Sequence, residues 1–178
     1  GKAYELRYGV KFPFELGMTY IGQTHVTYVV DKQYADLFEN GVSSISGLKF
    51  ANDKMKAEML PTLPVIKARL ETDSALVLVV EKQPAFIRLR DLFDSVGGKF
   101  DPKHVAWTLS NLYNTACYLR WAGVTHNEFS IDTVFVSPQH HGGAVPGGWW
   151  YAAAKDSKLQ ALPTRSVELA LMRVWILN

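Results

Sequence analysis

The stretch Val124-Thr125-His126-Asn127-Glu128-Phe129-Ser130-Ile131-Asp132-Thr133-Val134-Phe135-Val136-Ser137-Pro138 decides how the chain is read. It starts after Gly123, the natural end of a long helical pattern, and runs into the apolar strand Val134–Val136. Between helix and strand lies a short polar loop. His126 is followed two positions later by a carboxylate, Glu128, and eight positions later by the strand. His126 and Glu128 are therefore the first candidate functional residues.

Working back from this loop, Asp101-Pro102 is a strong helix start, an aspartate N-cap with proline at the first helical position. Val105, Leu109, Leu112, Tyr113, Ala116 and Leu119 recur at helical spacing, and Gly123 suits the left-handed cap. Cys117 falls within that helix and reads as a small buried apolar group, not a reactive thiol. Leu89, Leu92, Phe93 and Val96 predict a shorter helix closed by Gly97-Gly98. Ala75–Val80 is a continuous apolar run, read as a strand buried on both faces, and the polar connector Glu81-Lys82-Gln83-Pro84 follows it.

Earlier still, Val65–Leu70 is a further run, and Asn52 or Asp53 caps a short helix over Lys54–Leu60 that Pro61 ends. Val42–Phe50, which contains Lys49, reads as a short strand, and Asn40-Gly41 as a turn. Asp31–Leu37 reads as a helical turn or a loop insertion. Residues 4–30 read as strands: Tyr4, Leu6 and Tyr8 alternate with polar residues, and Tyr20–Gly22 and Val26–Val30 form two further runs. Gly17 and Gly22 do not meet a G-x-G-x-x-G spacing, so an ordinary hairpin is expected there instead of a phosphate-covering loop.

Beyond the opening stretch, Gln139-His140-His141-Gly142-Gly143 predicts a hairpin tip. Adjacent histidines on a strand point to opposite faces and no third ligand is near, so no metal site is expected from His140 and His141. Gly147-Gly148-Trp149-Trp150-Tyr151 comes next, and a last apolar helix is predicted over Val167–Leu177.

The chain of 178 residues suits one domain or two joined lobes, and 48% hydrophobic with 20% charged residues is ordinary for a chain that buries a core. A net charge of +2 gives no electrostatic case for nucleic acid, and no apolar run approaches the roughly 18 residues of a membrane span. A single cysteine excludes an intrachain disulfide and points to a reducing, cytoplasmic setting. The absence of an initial methionine and the apolar end Val174–Asn178 suit a piece of a longer polypeptide. No Gly-x-Ser-x-Gly elbow is present, and His25 and His104 read as surface or packing residues.

The order of these parts (β-rich start, buried strand, connector, helix, long helix, polar loop, hairpin) resembles the protein-kinase-like fold over roughly residues 15–155. The implied fold class is α+β with two lobes, a β-rich N-terminal lobe over 1–80 and a reduced, mainly helical C-terminal lobe over 81–178. By this resemblance Lys49 is the strand lysine and Glu58 its helix partner, the pair that holds nucleotide phosphates. The connector with Glu81 and Gln83 is the hinge, where an adenine bonds to backbone. His126 matches a histidine that chiefly packs. Glu128 stands where an aspartate orients the substrate hydroxyl, and Thr133 where an asparagine binds a second magnesium ion. Gly147-Gly148-Trp149-Trp150 stands where Asp-Phe-Gly holds the main magnesium, and it carries no carboxylate.

Magnesium neutralises much of the charge in phosphoryl transfer and is held by only one or two carboxylates. The preferred expectation is therefore a pseudokinase-like module that acts by protein binding. One alternative is an active atypical phosphotransferase that uses ATP and Mg²⁺ through Lys49, Glu128 and Asp132, with Asp132 as a substitute ligand. The other is an unrelated α+β interaction domain.

Overall fold

Five antiparallel strands carry most of the first half of the chain: β1 (Val10–Phe14), β2 (Gly17–Ile21), β3 (His25–Asp31), β4 (Ile66–Glu71) and β5 (Ala75–Glu81), in the order β1-β2-β3-β5-β4. This is the computed structural model of the chain, and it describes residues 5–154. Pro13 lacks an N–H and is tolerated because β1 lies at the sheet edge. Val26, Tyr28 and Val30 of β3 and Leu76, Leu78 and Val80 of β5 alternate onto the buried face. Val77 and Val79 are only half-buried, so β5 is not covered on both faces as its apolar run suggested. Leu6 and Tyr8, expected in a first strand, are exposed and precede β1. Phe14 pairs with Gly17 across a two-residue tip, Glu15-Leu16, so the hairpin forms with no glycine-rich loop.

Between β3 and β4 lie α1 (Ala35–Ser46) and α2 (Asp53–Met59). α1 corrects two expectations: the Asn40-Gly41 turn and most of the Val42–Phe50 strand are helical. Phe38, Gly41 and Ile45 form its buried face at helical spacing. The Asn40 amide donates to the carbonyls of Trp150 at 2.9 Å and Ala152 at 2.8 Å instead of closing a turn. α2 is capped by Asn52, whose side chain accepts from the Met55 N–H.

After β5 come the short strand β6 (Ile87–Arg88), α3 (Leu89–Ser95) and α4 (Pro102–Ala122). The α4 ends are as predicted: Asp101 accepts from the Lys103 N–H, and Gly123 adopts φ +74°. Its buried face is Thr108, Leu112, Thr115, Tyr118 and Leu119, which leaves Cys117 exposed. The helical period was right; the face given to Cys117 was not. Four short strands follow: β7 (Val124–Thr125), β8 (Phe135–Ser137), β9 (Gly142–Ala144) and β10 (Ala153–Ala154). β6, β8 and β9 form one small sheet and β7 with β10 another, so the His126 loop is held between the two.

The fold is α+β. Among the described residues no helix is long and apolar enough to cross a membrane. The expected helix Val167–Leu177 lies outside the described residues.

Candidate functional site

His126 is fully buried, and both ring nitrogens are committed. Its Nε2 lies 2.9 Å from the Gly147 carbonyl, and Nδ1 accepts from the Glu128 N–H at 3.2 Å. Nε2 therefore carries the proton of a neutral ring. Burial lowers the pKa to about 4, against which the Gly147 bond acts weakly. The rings of Phe129 and Trp149 close on it, each with a centroid separation of 4.8 Å. Sealed and neutral, the imidazole of this candidate functional residue serves as a buttress, the packing role that the resemblance implies. It ties the loop to the 147–149 backbone.

Thr133 fixes the same loop from within. Its hydroxyl donates to the Glu128 carbonyl at 2.6 Å and accepts from the Ser130 N–H at 2.9 Å. Glu128 is half-buried, and its carboxylate faces Gly148. Gly148 adopts φ +78°, and a Cβ there would come within 2.8 Å of His126 Cε1, 2.9 Å of Thr133 Cγ2 and 3.0 Å of Glu128 Oε2. The backbone and the packing both require glycine.

Above the loop, four aromatic rings fill the space under the sheet. Trp150 stacks on Phe38 at 5.9 Å and on Phe14 at 6.1 Å, and Tyr28 meets it edge-on at 5.5 Å. Tyr28 reaches so close that a Cβ on Gly147 would lie 2.6 Å from its hydroxyl. Burial, then the Glu128 carboxylate, pushes the Tyr28 phenol up, so it stays protonated. Below, the Asn127 amide donates to the Tyr151 carbonyl, and the Tyr151 hydroxyl donates to Glu15 at 2.7 Å. Burial is the largest cause that pushes the Tyr151 phenol up, and the Glu15 bond is second.

The other expected site residues lie elsewhere. Lys49 is exposed in the link between α1 and α2, not on a strand, and Glu58 sits on α2 with its carboxylate 4.0 Å from Lys54. No ion pair joins Lys49 to Glu58, because the residues taken as a strand belong to α1 and its exit. Tyr28 on β3 and Phe38 on α1 meet Trp150 instead. Asp132 is bound to Arg90 at 2.5 and 2.7 Å and to Arg88 at 3.4 Å, a structural ion pair that leaves it poorly placed as a metal ligand. Among the described residues no group of three acidic, histidine or cysteine side chains is placed to hold a metal. Glu81 is paired with Lys67 at 2.6 Å. The Gln83 carbonyl in the connector accepts from Lys82 Nζ at 3.1 Å, and the Phe86 carbonyl accepts from it at 2.8 Å. His140 meets the Ser137 hydroxyl at 3.0 Å, and the His141 carbonyl accepts from Asn111.

Tyr28, Phe38, Gly41 and Lys82 gave no motif by which to find them; the only local cue was a lysine directly after an apolar strand. No protein-family model matches the chain, and no curated protein matches it.

Proposed function

We propose that the chain is a pseudokinase-like module that acts by binding a protein, its phosphotransfer chemistry lost. The reading takes the described residues as a β-rich lobe up to Val80 and a mainly helical lobe after it. Its parts come in kinase-like order: sheet, connector, short helix, long helix, polar loop, hairpin. The observation that carries it is Gly148. Within the stretch where the resemblance puts Asp-Phe-Gly, its φ is +78° and a Cβ would strike His126 and Thr133. A carboxylate there is sterically shut out as well as absent. Two further observations point the same way. Trp150, Tyr28, Phe14 and Phe38 occupy the space between sheet and loop, and Lys82 already takes the Gln83 carbonyl of the connector, where an adenine would bond to backbone.

The test is thermal unfolding with and without ATP and Mg²⁺. A ligand at 100 times its Kd adds about 2.7 kcal/mol of stability, and no shift is expected. A Mg²⁺-dependent rise in Tm, together with turnover lost in Glu128→Gln, would overturn the reading in favour of an atypical phosphotransferase.

A further inference from the structure

The connector after β5 buries a charge that nothing neutralises among the described residues. Lys82 is 8% exposed, its N–H donates to the Thr24 carbonyl, and its ammonium spends two of three donors on Gln83 and Phe86. No carboxylate among the described residues lies within ion-pairing distance. Burial lowers its pKa from the ordinary lysine value. A buried cation held only by carbonyl dipoles is costly and leaves a positive field in the space beside it.

Lys82 lines an open cleft of about 620 Å³ between the β1–β2 edge and the connector. Its other charges are already matched: Arg7 pairs with Glu5, and Arg88 pairs with Asp91 and Asp132. Lys82 is the one left over. Beside these charges and the polar Gln23 and Ser95, the wall carries Tyr8, Val10, Ile21, Phe86 and Ile87, of which Tyr8, Val10 and Ile87 are exposed. An apolar wall with a few convergent polar groups is how small-molecule sites are built.

We propose that this cleft binds a small organic anion with a flat apolar body. The Lys82 ammonium holds the acidic group, and the body lies against Tyr8, Val10 and Ile87. The site needs one negative charge and no metal, and it stands apart from the protein-binding reading above.

Fluorescence titration of the full chain with anilinonaphthalene sulfonate, and with its uncharged parent phenylnaphthylamine, tests this. The sulfonate should bind one saturable site. Lys82→Met should weaken it at least about tenfold and Lys82→Arg should retain it. The uncharged compound should bind wild type and Lys82→Met alike. Ile87→Glu, at a side chain 39% exposed, places a repelling carboxylate on the wall without disturbing the core and should also weaken the sulfonate. Non-saturable binding, or a sulfonate affinity unchanged in both Lys82→Met and Ile87→Glu, would reduce Lys82 to a cap on its turn and overturn the proposal. Equal losses for charged and uncharged probes would do the same.

Discussion

Gly41 and Trp150 fit together only because one of them has no side chain: a Cβ on Gly41 would stand 2.8 Å from Trp150 Cε3. α1 is thereby pressed onto the Trp149–Tyr151 turn, with Asn40 bonding the carbonyls on either side of Tyr151. Helix, turn, sheet and His126 loop are joined through one indole ring and its neighbours.

Gly41→Ala tests that contact through a change of sign. In an unobstructed helix the substitution gains about 1 kcal/mol. Here the ring must give way, and overpacking of this kind costs about 1–3 kcal/mol, so a net loss is expected in urea unfolding. Trp150→Ala alone should cost about 3–5 kcal/mol. In that background Gly41→Ala should become stabilising. Equal effects in both backgrounds would show that the indole is not the obstacle.

Gly148→Ala should lose about 2 kcal/mol or more, since positive φ and a close Cβ contact act together. Gly148→Asp should lose at least as much and acquire no Mg²⁺-dependent rise in Tm. A metal-dependent rise in that variant would show that the loop can open to admit a ligand side chain.

What was legible in the sequence follows from how local each signal is. α4 was readable because Asp101, Pro102 and Gly123 act on their own backbone. Its period fixes a helix but not a face, so Cys117, which reads as buried, is exposed. α1 was misread because Asn40-Gly41 is a turn pair by local chemistry; the need for glycine comes from Trp150, far along the chain. The same local signal puts Lys49 on a strand, whereas it lies in the link between α1 and α2. His126 and Glu128 were found because a helix and a strand bracket them at fixed spacing. The aromatic filling was not, since rings on β1, β3 and α1 meet only after folding.

Arg88 should reveal itself through non-additivity. Its guanidinium is buried, lies 3.7 Å from the centroid of the Phe12 ring, and is held by Asp91 at 2.5 Å and Asp132 at 3.4 Å. Asp132→Asn alone should cost only about 1 kcal/mol, because that carboxylate is partly exposed and Asp91 remains. Asp91→Asn with Asp132→Asn strands a buried cation and should cost about 3–5 kcal/mol, more than the two single losses combined. Simple additivity in denaturant unfolding would mean that Arg88 reaches water once its partners are gone.

His126 predicts a pH dependence with a definite sign. Its folded pKa is about 4 against an ordinary value of 6.5, so between those values the unfolded chain binds the extra proton. The stability is fully present above pH 6.5 and is lost as pH falls through the window toward 4. The linked loss is about 3 kcal/mol, since each unit of pKa difference corresponds to about 1.4 kcal/mol. Carboxylates titrate nearby, so the wild-type curve alone does not isolate the imidazole. His126→Gln retains a donor for the Gly147 carbonyl but cannot titrate. It should be less stable than wild type at neutral pH, and the gap should close steadily as pH drops toward 4. A gap that stays constant across the window would mean that His126 is protonated in the native protein and that the Gly147 bond is made by an imidazolium.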